Sequence, residues 1–404
     1  MNNVQTAAIN GQRKEIVQKT VYSILFSVAI AHMLNDLLQA VIPAVYPILK
    51  DKYNLTFTQI GLITFSYQLA ASILQPFVGF YTDKKPQPYS KMFGMLFTLA
   101  GIVLLSYAAS FGFILLSVVL VGIGSSIFHP EASRVSYLAS GGKRGLAQSI
   151  FQIGGNTGTA IGPLLIAWIV VPHDQHYIIW FSAIAIVAMA VLWRIGNWYF
   201  HHLNLNAGNK KEIVLPDLSQ RRIVISVIIL LVLIFSKYFY VASITSYFTF
   251  YLIDKFHLSV QDAQYHLFIF LLSLAIGTLL GGPLGDKFGR KYVIWFSVLG
   301  VAPFALMLPY ANLFWTTILS VIIGTLLASA FPAILVYAQE LLPKKLGMVS
   351  GLFYGFAFGM GGLGAAILGY MAEKTSIDYV YDICAYLPLI GVIAMFLPNL
   401  KKKS

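Results

Sequence analysis

Inside one long apolar run the chain places His32, Asn35, Asp36 and Gln39 at i, i+3, i+4 and i+7, the spacing of a single helical face. In lipid, a carboxylate and an imidazole each cost a few kcal/mol unless they face a cavity or a partner. Two readings stand. The residues form a polar seam that holds helices together, or they form a protonatable site, with Asp36 as proton acceptor and His32 tuning it, since imidazole changes charge between about pH 5 and 8. The second is the expectation, with Asn35 and Gln39 on the same face as candidate substrate contacts.

Other polar residues lie inside apolar runs. In S-S-I-F-H-P-E-A-S-R, Pro130 lacks an amide hydrogen and loosens the helix. Glu131 and Arg134, three apart, can pair; Ser126 and His129 share a face from which Glu131 points well round. This is a structural ion pair near a membrane face, or else Arg134 faces the cavity and attracts an anion while His129 and Glu131 join the proton relay. Asn156, in G-G-N-T-G-T-A-I-G-P, either lines a cavity or joins helices. Lys237 is the only lysine well inside an apolar run, about fifteen residues from its basic end and too far to snorkel comfortably. It is expected to face a central cavity as counter-charge to an anion or a carboxylate, with Tyr240 on roughly the same face as a further substrate contact. No P-loop, H-E-x-x-H, G-x-S-x-G or cluster of metal ligands is visible, so neither an enzyme nor a cofactor or metal is expected. Without a nucleotide site, any work the protein does draws on a gradient.

These residues need elements to hold them. Of 404 residues 58% are hydrophobic and only 10% charged, with mean hydropathy +0.76. A soluble domain carries roughly 25% charged residues, so this chain cannot cover a water-facing surface. Apolar runs fall near 20–49, 57–81, 89–109, 112–139, 146–171, 177–200, 222–253, 263–285, 291–310, 313–341, 348–372 and 379–399, each long enough to cross a bilayer. The expectation is an all-α integral membrane protein of twelve transmembrane spans. Its parts are a polar tail at 1–19, six spans over 20–200, a polar linker at 201–221 and six spans over 222–404. The first run is too long for a cleaved signal and carries His32 and Asp36.

The net charge of +12 sits at the ends of apolar runs, with no aromatic-interleaved basic face, so nucleic acid is not an expected partner. The lone Cys384 excludes an internal disulfide. Of 27 basic residues, 22 fall in the tail, the linker, the C-terminus and the turns on one side, which predicts both termini cytoplasmic.

The chain also repeats itself. G-G-P-L-G-D-K-F-G-R-K at 281–291 is a tight charged turn between two runs. A weaker copy lies 203 residues earlier, where Gly79, Asp83 and Lys84 match Gly282, Asp286 and Lys287. Pro130 and Gly145 stand 202 residues before Pro332 and Gly347. A constant offset near half the chain means two similar halves. Gly154, Gly158 and Gly162, and likewise Gly351, Gly355 and Gly359, make stripes along which another helix can approach closely. Glu340, ahead of Lys344 and Lys345, is expected to pair with basic residues at the membrane rim.

The 281–291 stretch, with Gly289 and Arg290 in place, resembles the loop signature of the major facilitator superfamily; the first copy lacks the later Gly-Arg-Lys. Gly158, Gly162 and Pro163 resemble that family's fifth-span antiporter motif without its trailing glycine pair. H-M-L-N-D-L-L-Q, S-S-I-F-H-P-E-A-S-R-V, G-L-A-Q-S-I-F-Q-I-G-G-N, L-I-F-S-K-Y-F-Y and I-L-V-Y-A-Q-E-L-L-P are similar, over nearly the whole chain, to bacterial drug exporters of the family. The resemblance implies two pseudo-symmetric six-helix bundles working as a monomer in a bacterial inner membrane by alternating access. It also implies proton antiport of a small phosphonate drug, an anion that would suit Lys237, Arg134 or the histidines. An uptake carrier for an organic anion and a non-transporting receptor are the rival readings.

Overall fold

In lipid the backbone must satisfy its own hydrogen bonds, and a chain built of apolar runs does so as helices. The computed structural model describes residues 20–55, 57–170, 172–206, 216–258 and 260–400. Every element among them is helical, and they form twelve rods. Span one is Tyr22–Ala44, continued by Tyr46–Tyr53; span two is Phe57–Lys84, span three Ser90–Tyr107, span four Phe111–Ala139 and span five Arg144–Ile169. Span six is Phe181–Asn206, entered through the 3-10 turn Gln175–Trp180. Span seven is Gln220–Phe256, span eight Val260–Phe288, span nine Arg290–Leu299 with Ala302–Met307, span ten Leu313–Leu341 and span eleven Leu346–Lys374. Span twelve is Ile377–Cys384 followed by the 3-10 segment Leu387–Phe396.

The expected tail 1–19 lies outside the described residues, as do positions 207–215 of the expected linker and Lys401 to Lys403. Span six runs on to Asn206, so His201 to Asn206 are helical rather than loop. Among the described residues ten helices are long and apolar enough to cross a membrane, and the chain is a multi-pass membrane protein. The two rods that fall short, spans two and five, carry glutamines, asparagine and glycines, and each packs one face along the seam between the bundles. Phe65, Phe77, Trp168, Trp193 and Phe296 stand more than half exposed on the outside, where acyl chains rather than water meet them.

That seam is made of span two against span eleven and span five against span eight. At the face bearing the charged turns the backbones touch. A methyl group at Gly79 would overlap the Gly347 carbonyl, one at Gly282 the Gly145 carbonyl, and one at Gly351 the Gln75 carbonyl. Further along span eleven the fit loosens. A Cβ at Gly359 would lie 3.7 Å from Ser72 Oγ, and one at Gly362 would lie 3.6 Å from Gln68 Cγ. The closest approach of the two helices is therefore at the charged-turn face, and beyond it they stay in ordinary side-chain contact. The other glycine stripe works inside the first bundle, where Gly154 and Gly158 let the Ala29 and Met33 carbonyls of span one approach.

Candidate functional site

Span one delivers His32 and Asp36 one turn apart, and their side chains meet: His32 Nε2 lies 3.1 Å from Asp36 Oδ2. Span four brings a third group, His129, whose Nε2 lies 3.5 Å from Asp36 Oδ1. The Asn35 and Gln39 amides also donate to Asp36 Oδ1, at 3.0 and 3.3 Å. Gln39 is held in that orientation because its Oε1 accepts from the Tyr67 hydroxyl and, at 3.2 Å, from Ser125 Oγ. Four of the expected site residues thus stay together as helical spacing required, and His129 joins them across the bundle.

The hydrogen-bond geometry says what this cluster lacks. His32 Nδ1 is 2.8 Å from the Phe151 carbonyl, and His129 Nδ1 is 3.0 Å from the Ser125 carbonyl. A carbonyl only accepts, so both Nδ1 atoms carry hydrogen. In the neutral rings each Nε2 then presents a lone pair to a carboxylate oxygen, acceptor against acceptor. Among the described residues, His129 Nε2 and Asn35 Oδ1 are buried with no hydrogen-bond partner. Two imidazole lone pairs converging on a carboxylate make a receptor for a cation, and a proton is the smallest one that fits. The histidines are buried, whereas the Asp36 side chain keeps 16% exposure, so it is the member through which the cluster meets solvent.

Glu131 and Arg134 do not belong to this cluster. Arg134 Nη1 lies 3.2 Å from Glu131 Oε1 and donates to the Thr82 carbonyl at 2.6 Å, while Nη2 pairs with Asp83. Of the two readings of that segment, the geometry is that of the ion pair near a membrane face. It serves a contact between the bundles. Asp83 accepts from the Gly347 and Met348 amides at 2.9 and 2.8 Å, capping the first turn of span eleven, whose own N-cap residue Lys345 supplies no side-chain cap. The second copy is the mirror of this. Asp286 accepts from the Gly145 and Leu146 amides at 3.2 and 3.1 Å, capping span five. There Arg290, inside the repeat, pairs with Asp286 at 2.9 Å and with Glu340 at 3.3 Å, and Arg144 reaches Glu340 at 3.1 Å. The first copy lacks its own arginine, and span four provides one. Lys84 and Lys287 take no part; their ammonium groups lie over the Phe80 and Phe288 rings. Gly289 sits at φ +96°, where a side chain would be strained, and makes the turn into span nine.

Lys237 is buried in the second bundle, with Nζ 5.1 Å from the Tyr238 ring centre and 5.3 Å from that of Phe331. Aromatic faces attract a cation, but no carboxylate among the described residues pairs with it. From Phe331 the packing continues to Tyr354 at 5.1 Å and on to His129 at 5.3 Å between ring centres. Asn156 bridges the bundles, donating to Thr278 Oγ1 at 3.1 Å. Tyr240 is packed in the core of the second bundle with Tyr251 and Tyr381.

Sequence reasoning missed a buried polar knot between the charged-turn contacts and the histidine cluster. Gln339 Nε2 donates to Ser350 Oγ at 2.9 Å and Ser133 Oγ at 3.3 Å, and Ser133 donates to Gln148 Oε1 at 3.2 Å. Gln148 Nε2 donates to the Tyr354 hydroxyl, which in turn donates to Gln152 Oε1, both at 2.7 Å. The one available signal was the i, i+4 pair Gln148 and Gln152 in an apolar run.

The family model described as Major Facilitator Superfamily matches residues 28–265 and 230–404. The chain is 58% identical to the fosmidomycin resistance protein of Escherichia coli (strain K12), over 96% of this chain and 95% of that one. It is 45% identical to YfnC of Bacillus subtilis (strain 168), an uncharacterised MFS-type transporter, over 96% of this chain and 97% of that one. The crystal structure of the human organic anion transporter MFSD10 superposes with a TM-score of 0.75 at 14% identity, over 94% of this chain and 100% of the other.

Proposed function

The chain belongs to the major facilitator superfamily and is a membrane transporter, and on that premise we propose that it exports fosmidomycin-like anionic drugs in exchange for protons. The observation that carries the reading is the convergence of His32 Nε2 and His129 Nε2 on the Asp36 carboxylate. The drug class is supported by the 58% identity to the fosmidomycin resistance protein and by Lys237, a buried cation without a carboxylate partner among the described residues. Fosmidomycin is a small phosphonate, and its anionic head suits an ammonium framed by aromatic rings.

The face with the charged turns and most of the basic residues is the cytoplasmic side of a bacterial inner membrane, with both termini on it and one chain as the working unit. The seam, tightest at that face, is then closed to the cytoplasm. In this state a proton enters from outside and settles between Asp36 and a histidine. Loading removes the acceptor-acceptor repulsion and lets the bundles rock until the cytoplasmic side opens. There the proton leaves, the drug anion pairs with Lys237, and the loaded protein returns. Exchange needs only that proton and drug each favour a different conformation. The Phe331, Tyr354 and His129 packing gives the two sites a physical connection across the seam.

The test uses inverted membrane vesicles with an acid lumen and a pH-sensitive dye. Adding fosmidomycin outside is expected to release protons from the lumen, with none released from vesicles lacking the protein. No release from vesicles that hold their gradient and contain folded protein would overturn fosmidomycin antiport, and drug-driven proton movement into the lumen would mean symport. Lys237→Gln is expected to weaken fosmidomycin binding about 10- to 100-fold, the scale of one charge-assisted contact. Calorimetry on purified protein reads this, and unchanged affinity in a folded variant would remove Lys237 from the drug site.

A further inference from the structure

The same three side chains have a second chemistry. We propose that His32, Asp36 and His129 bind a divalent transition-metal ion of the zinc and cobalt kind. The site stands on geometry alone; only its consequence for transport rests on the proton reading above.

Zinc bonds to imidazole nitrogen and carboxylate oxygen are about 2.0 Å long, so neighbouring ligands of a tetrahedral ion lie about 3.3 Å apart. Here His32 Nε2 lies 3.1 Å from Asp36 Oδ2 and His129 Nε2 lies 3.5 Å from Oδ1, so each carboxylate oxygen faces one ring. One ligand atom from each residue lies within 4.8 Å of the other two, a spread that a small inward shift closes onto one ion. The ligands are already aimed. Metal-binding histidines ordinarily donate their other ring hydrogen to a carbonyl or carboxylate, which sets the tautomer and turns the free lone pair to the metal. Both histidines do so here, through the Phe151 and Ser125 carbonyls. His32 is held further by stacking on the Phe151 ring at 4.0 Å. His129 Nε2 is a buried acceptor with no donor among the described residues, the independent sign that a positively charged species belongs at this point. Two imidazoles and one carboxylate select zinc or cobalt over magnesium and calcium, which prefer oxygen ligands throughout. The partial exposure of Asp36 leaves a side from which an ion enters and a water completes the fourth position.

A metal and a proton cannot occupy these lone pairs together. An ion bridging spans one and four would hold the cluster in its cation-loaded arrangement and stop the cycle, making zinc an inhibitor competing with protons.

The experiment is a cobalt titration of the full chain, purified without a polyhistidine tag and held in lipid nanodiscs. Cobalt in a tetrahedral nitrogen and oxygen site absorbs visible light strongly, while hexa-aquo or exposed cobalt absorbs weakly. The expected result is one equivalent of strongly absorbing cobalt, displaced by zinc, with affinity at least about tenfold lower in His129→Ala. Asp36→Asn, nearly isosteric, gives the same reading should the alanine variant not fold. The exposed His173 and His176 remain in both variants and report adventitious binding. Weak absorption only in the wild-type chain, or an unchanged strong spectrum in a folded variant, overturns the site. No transport is measured, so a chain that takes cobalt but exchanges no protons for drug would refute the antiport reading alone.

Discussion

Asp36→Asn protein is expected to bind fosmidomycin and to exchange bound drug across the membrane, yet to lose concentrative export, its accumulation ratio falling to about one whatever the pH gradient. The reason lies in the hydrogen-bond balance of the cluster. Asparagine is nearly isosteric and keeps the oxygen that accepts from Asn35 and Gln39, but its amide donates a hydrogen that does not dissociate. Turned toward His32 Nε2, now 3.1 Å from Asp36 Oδ2, that amide satisfies the lone pair without any proton being taken up. The cluster would then sit permanently as if loaded. Coupling disappears because nothing at the site distinguishes an acid side from an alkaline one, while the drug site on Lys237 and the seam between the bundles are untouched. The measurement compares drug counterflow without a gradient against accumulation driven by a pH gradient in the same proteoliposomes. Retained counterflow with lost accumulation is the expected pair of outcomes. Full gradient-driven accumulation in the variant would take the proton site away from span one.

Gly282→Val is expected to have a comparably large effect by a steric route. The Gly282 backbone lies against the Gly145 carbonyl, and a Cβ there would also overlap Ser149 Oγ. Backbone cannot yield as a side-chain tip can, so spans five and eight must part. Parting breaks the two bonds from the Gly145 and Leu146 amides to Asp286. Charge-assisted bonds are worth about 1.5–3 kcal/mol each, so losing both shifts the conformational equilibrium by roughly two to four orders of magnitude toward the state open at the charged-turn face. Each bundle interior stays as it was, so the variant should insert and fold. A pair of spin labels on the charged-turn ends of spans five and eight, in a background lacking the single Cys384, reads the separation directly. The expected result is a longer distance together with loss of transport. A wild-type distance with normal export would mean that the close approach at Gly282 is not part of the transport cycle.

How much of this was legible beforehand differs from residue to residue. The helices, their number and the duplication follow from the chain alone, because lipid admits few backbone solutions and apolar runs separated by charged turns state where each begins and ends. The meeting of His32 with Asp36 was equally local, since residues four apart on a helix face the same way whatever surrounds them. The family, too, was carried by a short signature at 281–291 that the family model and the relatives bear out.

Periodicity says which residues share a face, not which neighbour that face meets. His129 lies 93 residues beyond Asp36 and reaches it only because spans one and four pack in one bundle. Arg134 looked as fit for an anion as Lys237 did; tertiary packing turned it to Asp83, where it stands in for the arginine missing from the first repeat. The knot of Gln148, Gln339 and Tyr354 joins residues from opposite halves of the chain, and no local pattern marks such partners. The sequence by itself determined the rods, the repeat and the one-turn pairing of acid and imidazole, since these depend on covalent spacing and on the solvent each segment must satisfy. Only the tertiary structure decided where the two bundles touch most closely and that His129 joins His32 and Asp36, because both depend on contacts between helices distant in the chain.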